Sequence, residues 1–291
     1  VEQGERLYQT EPVFRQFVDD LEQHWADHGE ATGTVPRRIS AWAAGETRGD
    51  VELFVLQAGL ATLWRAWGIE PDLVLGLGIG QYTAACMAGS LDVKDALLLV
   101  ARREKVMERI GQSSDYNGID TVIGALPADV QSELDQFEAL ADTMNFYPPN
   151  LPLVCSLSAS LVPVHRSLGG SYWREHCLSD AKVVESLAVV HEHASDFVLE
   201  IGPPGTDLSS LQPVGTSRWL ASLQQHQAPS VSLLNIMGEL YASGAQVDFR
   251  ALDAPWSRRR LSLPAYPFQK KRYWITEISD YLERNTEQVA T

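Results

Sequence analysis

The chain has 291 residues, 45% of them hydrophobic and 21% charged, enough apolar material for one large core or two modest ones, and this excludes a disordered polypeptide. Its formal charge of −15 argues against a nucleic-acid partner, because phosphate binding needs a positive footprint that releases counterions. Cys86, Cys155 and Cys177 are too few for a disulfide framework and lack zinc-ligand spacing, so a reducing cytoplasmic location with no metal and no cofactor is expected. No apolar run reaches membrane-spanning length, and the first residues are charged and helix-like rather than a signal peptide.

Leu7, Val13, Phe14, Phe17, Val18 and Leu21 keep one face apolar and predict a single opening helix. Residues 28–50, polar and interrupted by Pro36 and Gly45, read as a loop before a helix over 53–67 that Gly68 closes. Residues 73–75 read as a buried strand, followed by Gly76-Leu77-Gly78-Ile79-Gly80 and a helix from about Gln81 carrying Ala84, Ala85 and Met87. Asp92 is a fitting N-cap for a helix running through Arg103 to about Ile110, ended by the glycine, serine and asparagine stretch at 111–118.

Residues 121–125 predict a strand, and Pro127-Ala128-Asp129 a short helix after it. Pro148, Pro149 and Pro152 bracket a turn before a strand at 153–157. Another buried strand is predicted at 197–201, with Gly202-Pro203-Pro204-Gly205 as a rigid loop at its end. A last helix is predicted at 230–243, ahead of a proline-rich, basic tail. Strands alternating with helices predict an α/β fold with a mostly parallel sheet flanked by helices.

The segment 76–80 has the form of a nucleophile elbow, Gly-x-Ser-x-Gly, in which the serine sits on a sharp strand-to-helix turn with its hydroxyl exposed. Here the serine position is Gly78. Glycine takes the left-handed conformation without a Cβ clash, so the turn can persist without its chemistry.

Together with its flanks, this segment resembles the acyltransferase domain of modular polyketide synthases and of malonyl-CoA:carrier-protein transacylases. The resemblance rests on Gly68-Ile69-Glu70-Pro71-Asp72, on 73–91 against Gly-His-Ser-x-Gly-Glu-Tyr, and on Ala101-Arg102-Arg103-Glu104-Lys105-Val106-Met107. It extends to Tyr172-Trp173, to Phe197-Val198-Leu199-Glu200-Ile201-Gly202-Pro203, and to residues 263–274, Leu-Pro-Ala-Tyr-Pro-Phe-Gln-Lys-Lys-Arg-Tyr-Trp, which match the linker after this domain in polyketide synthases. It covers nearly the whole chain and implies the α/β-hydrolase-like acyltransferase fold over 1–257, with the linker and a terminal helix at 258–291.

The departures bear on chemistry. In the family the serine is acylated and a histidine from a ferredoxin-like small subdomain acts as its base. Here Leu77 stands for the preceding histidine, Gly78 for the serine and Gln81 for the glutamate. No His-Ala-Phe-His type segment lies between Ala125 and Tyr147, so the small subdomain is expected to be reduced or missing, with a remnant at about 119–140. The late Gly-Pro-His reads Gly202-Pro203-Pro204, and the family's amino-terminal Gly-Gln-Gly loop, which would lie just before Val1, is expected to be absent.

The resemblance makes Gly76, Gly78, Gly80, Gln81 and Arg103 a vestigial substrate pocket, and gives Arg103 the place of the arginine that pairs with a malonyl carboxylate. The alternative is a helix arginine pairing with a neighbouring acid, from the turn of Glu104 or the 40–50 loop. Cys86, one or two turns past the elbow, reads as a small buried core residue rather than a substitute nucleophile. Ser156 and Ser158, beside Cys155, have no histidine placed by sequence to activate them. His191 and His193 flank Glu192, but residues two apart do not share a helix face, so a solvated helix end is expected rather than a metal site. Arg258-Arg259-Arg260 and Lys270-Lys271-Arg272 form the only basic concentration, suited to an acidic protein surface or to keeping a linker solvated. Ile275, Ile278, Tyr281 and Leu282 have helical spacing.

The expectation is a catalytically inactive acyltransferase-like domain of a polyketide synthase, serving as a scaffold beside the ketosynthase, with extender units supplied in trans. Tyr266, Pro267, Phe268, Tyr273 and Trp274 would bind the partner. An acyl carrier protein or a trans-acting acyltransferase are further partners to consider. Two alternatives stand beside this: an active acyltransferase loading malonyl-type units by an unusual mechanism, and a non-catalytic module that binds an acyl or phosphopantetheine group.

Overall fold

The structure is a computed structural model that describes residues 2–28, 49–112, 126–193, 196–203, 217–259 and 261–271, together with 278 and 282. The predicted single opening helix is two, α1 (Glu2–Thr10) and α2 (Pro12–His28). Pro12 has no N–H to continue a helix and instead takes the first position of a new one. The break is tight: Glu11 N donates to Leu7 O at 2.7 Å and Arg15 N to Glu11 O at 2.9 Å. Leu7, Phe14, Val18, Leu21 and Trp25 are buried, so both helices turn one apolar face inward. Residues 29–48, most of the expected loop, lie outside the described residues.

Helix α3 (Asp50–Ala66) is buried on most of its circumference, since it packs at once against α2 and against two later helices, α4 (Gly80–Met87) and α5 (Val93–Gln112). It ends as the sequence predicts, at Gly68, with φ +86°. Strand β1 (Val74–Leu75) runs through the elbow into α4, and α5 follows. Asp92 does cap α5, its Oδ1 accepting from Lys94 N at 2.8 Å. Within 111–118, residues 113–118 lie outside the described residues, as does the strand expected at 121–125.

The short helix expected after Pro127 is fourteen residues long, α6 (Ala128–Ala141). Its length follows from burial of Val130, Leu134, Phe137 and Ala141 along one face, packed against α5 and α7 (Gly170–Leu178). Ion pairs frame these contacts: Arg102 with Glu133 at 2.5 Å, and Arg174 with Asp135 at 2.9 Å and Glu138 at 3.0 Å.

The strands after α6 keep the pairing mostly parallel, as expected, and divide the described strands between two sheets. β2 (Leu153–Cys155) pairs parallel with β1, Val74 opposite Leu153 and Leu75 opposite Val154. β3 (Ser160–Leu161), which the sequence reading passed over, pairs antiparallel with β2. Residues 156–159 are too few for a crossover, so the chain can only return as a hairpin. After α8 (Val183–His193), β4 (Phe197–Glu200) pairs parallel with β5 (Arg218–Ala221) over four residues, in a second sheet. Among the described residues, two ladders are parallel and one is antiparallel. Helices α9 (Pro229–Ala242) and α10 (Phe249–Asp253) complete the chain as far as Trp256.

The chain divides into two units, Val1–Trp256 and Ser257–Thr291. In the second, residues 261–271 form neither helix nor strand, consistent with Pro264 and Pro267. Leu261, Leu263, Tyr266 and Phe268 are all exposed. No helix among the described residues is long and apolar enough to cross a membrane.

Candidate active site

The elbow is built by close approach at one glycine and left-handed backbone at another. A Cβ on Gly76 would lie 2.1 Å from the carbonyl oxygen of Gly80, so only glycine lets the turn close. Gly80 N donates to Leu77 O at 3.0 Å, Gln81 N to Gly78 O at 3.1 Å and Tyr82 N to Ile79 O at 3.1 Å. These bonds wind the turn directly into α4. Gly78 has φ +55° and is exposed. No described atom outside its immediate neighbours comes within 4 Å of where its Cβ would stand. The turn therefore has the conformation and the room for a nucleophile, and carries no side chain there.

Of the other residues read as a pocket, Gln81 is fully buried, and its amide donates to the Val154 carbonyl at 3.4 Å. It ties α4 to β2. Leu77 is half-buried. Gln57, which the sequence reading did not single out, comes to the elbow from α3. Its amide accepts from Thr83 Oγ1 at 3.5 Å, and its Nε2 would lie 3.9 Å from a Cβ on Gly80 and 3.7 Å from one on Gly202. The start of α4 and the end of β4 thus meet at one polar side chain. A polar residue amid the apolar positions of α3 was the available signal.

Arg103, on α5, forms an ion pair through Nη1 with Oδ2 of Asp50, the first residue of α3. Its Nε is buried with no hydrogen-bond partner among the described residues. Beside it lies an aromatic cluster. Tyr82 stacks on Trp173 with ring centres 4.2 Å apart, and His176 meets both edge-on. Burial first, and then the Arg103 charge, push the His176 pKa down to about 4, so this imidazole is neutral near pH 7. Burial raises Tyr82 well above its ordinary value and lifts the Cys177 thiol to about 12.

Cys86 is half-buried on α4, and burial raises its thiol, as does the charge of Asp92 and Asp95. A thiol held protonated in this way is a poor nucleophile. At Cys155 burial also acts upward, but hydrogen bonds from Ser158 and Tyr172 and from backbone N–H groups outweigh it and lower the pKa. Ser156 is fully buried and Ser158 is hydrogen-bonded to Ser160 at 2.8 Å. His191, Glu192 and His193 are the last three residues of α8, with His193 Nδ1 2.9 Å from Val189 O. In the tail, Tyr266 and Phe268 are exposed with their rings in edge contact at 5.0 Å, and Pro267 between them is exposed too. Tyr273 and Trp274 lie outside the described residues, as do Pro204, Gly205, Arg260, Arg272, Ile275 and Tyr281.

A strand, a glycine-bounded turn and a helix arranged in this way form the elbow of an α/β fold. The acyl transferase domain family model matches residues 3–131. Orsellinic acid synthase armB of Armillaria mellea is 25% identical over 354 aligned positions, covering 95% of this chain and 16% of that protein. Among solved structures, the acyl transferase domain of ZmaA superposes with a TM-score of 0.72 at 19% identity, covering 91% of this chain and 77% of that one. The acyltransferase domain from the second module of the salinomycin polyketide synthase gives 0.67 at 20% identity, covering 91% and 76%. Over residues 3–131 the chain is similar to the acyl transferase domain family, and its fold is that of the acyltransferase domains of polyketide synthases. It spans under a fifth of the length of the synthase from Armillaria mellea.

Proposed function

We propose that the chain is a catalytically silent acyltransferase-type domain of a polyketide synthase, kept as a structural neighbour of the ketosynthase, with extender units delivered by a separate acyltransferase. One observation carries this reading: the elbow keeps its left-handed turn at residue 78, and the residue there is glycine. Covalent acyl transfer forms an ester on a side-chain oxygen and passes the acyl group on from it. Glycine offers no atom for that bond.

Other observations agree. The thiol of Cys86, next along the same helix, is held protonated. The alignment to the Armillaria synthase runs 354 positions against a chain of 291, so the relative carries segments with no counterpart here, as a reduced small subdomain requires. The exposed aromatic residues Tyr266 and Phe268 give the tail an apolar surface for a protein neighbour.

Intact-protein mass spectrometry after incubation with malonyl-CoA and with acetyl-CoA tests the chemistry. No covalent acyl adduct is expected. A stable malonyl adduct mapping to residues 76–86 would overturn the proposal.

A further inference from the structure

A guanidinium is a planar fork of donors that matches a carboxylate, and in this fold Arg103 already holds one. Its partner, Asp50, comes from the chain itself. The Asp50 side chain is 26% exposed and that of Arg103 12%. Removing the acid would therefore uncover the guanidinium rather than hollow out the core.

Local packing keeps the acid in place. Asp50 opens α3, where the helix dipole favours a carboxylate. The residue before it, Gly49, is wedged: a Cβ there would meet Glu104 Oε1 at 2.4 Å and Glu52 Oε2 at 2.5 Å. The start of α3 is thus pressed onto α5 at Arg103 and Glu104, and carboxylates of Glu52 and Glu104 stand beside the Asp50 pair. An incoming dicarboxylate would meet a guanidinium that is already occupied.

The junction is connected to the elbow. Gln57, which touches the elbow, is seven residues along α3 from Asp50, about 10 Å and two turns, on the same helix face. Tyr82 of α4 feels the charges of both Arg103 and Asp50.

We propose that Asp50 is a resident carboxylate that occupies Arg103 and thereby denies this position to free malonyl-type dicarboxylates. This inference rests on the reading of the chain as a silent acyltransferase-type domain and adds a second, separate barrier to it. It is a property of two side chains and can fail while that reading stands.

The test is calorimetric titration of the full chain with disodium malonate, and with acetate as a single-carboxylate control. The wild-type protein should show no saturable malonate binding. Asp50→Asn and Asp50→Ser should each gain at least about tenfold in malonate affinity, with a smaller gain for acetate. Adding Arg103→Ala should remove the gain. Folded Asp50 variants that gain nothing would overturn the proposal, and so would wild-type binding that depends on Arg103. The wild-type protein supplies an independent check should the variants not fold. Its Arg103 side-chain NMR signals should stay unmoved by malonate at tens of millimolar, well above the concentration that fills a guanidinium site, and a saturating shift would overturn the proposal. Formation of an acyl adduct, by contrast, would sink the silent-domain reading whatever Asp50 does.

Discussion

Gly76 and Gly78 are two residues apart in one turn, and a methyl group has opposite fates at each. At Gly76 it would run into the Gly80 carbonyl at 2.1 Å, against backbone that cannot step aside. Gly76→Ala should cost at least about 3 kcal/mol or abolish folding, read by chemical denaturation. At Gly78 the space is open and only the φ of +55° resists, so Gly78→Ala should cost about 1–2 kcal/mol. Gly78→Ser should fold at a similar cost and still transfer no acyl group, because a serine without a base is a weak nucleophile at neutral pH. Substantial turnover by that variant would reveal a base. His176 makes a second residue-scale prediction. Its folded pKa, about 4, lies below the usual 6.5, so the unfolded chain takes the proton first. The contribution is complete above about pH 6.5 and drains as pH falls toward 4, to a loss of up to about 3 kcal/mol. Arg103, Tyr82, Tyr172, Trp173 and Cys177 surround it, and none offers a negative partner for an imidazolium. His24, lowered by burial and by His28 and Lys94, acts in the same direction. His176→Gln should flatten the stability profile between pH 6.5 and 4.5, and an unchanged slope would contradict the assignment.

Helix α3 connects elements that are remote in sequence. Besides packing on α2, α4 and α5, it is tied to the residue after β5 by the bond from Trp64 Nε1 to Ser222 Oγ, 3.0 Å and buried. Ser222→Ala leaves a buried indole N–H without its acceptor and should cost about 1–3 kcal/mol in a denaturation experiment. Such long-range ties were not legible in the sequence, whereas the elements they join largely were. Gly68, Asp92 and the apolar run at 73–75 marked α3, α5 and β1 through local backbone chemistry, which travels with the residue. The two-helix opening was missed because the apolar spacing runs through Pro12 without interruption, and periodicity alone does not register a lost donor. Strand β3 was missed because two residues carry no period. At the site the glycines of the elbow are readable, and the pairing of Arg103 with an acid of the 40–50 stretch stands among the two readings of that arginine, Asp50 being the acid the fold brings to it, while the meeting of Gln57 with Gly202 depends on the fold.

For the whole molecule, the proposed scaffold role is carried by the unit beyond Trp256. Its described apolar side chains are exposed, Phe268 at 79% and Tyr266 at 73%, a costly arrangement in water for rings of this size. Truncation after Pro255, in a protein that also contains the ketosynthase, should weaken ketosynthase association measurably and lower the melting temperature. If both are unchanged, the tail has no scaffold role. The glycine spacing at 76–80 has a separate implication for how such chains are recognised. Gly76 is demanded by its approach to Gly80, a steric matter that is indifferent to whether residue 78 ever reacts. A sequence search keyed to those glycines therefore registers a way of joining a strand to a helix, and it will score a silent domain and a working enzyme alike. Whether a chain of this shape can hold an acyl ester at all depends first on the one side chain between them, and turnover needs a base besides.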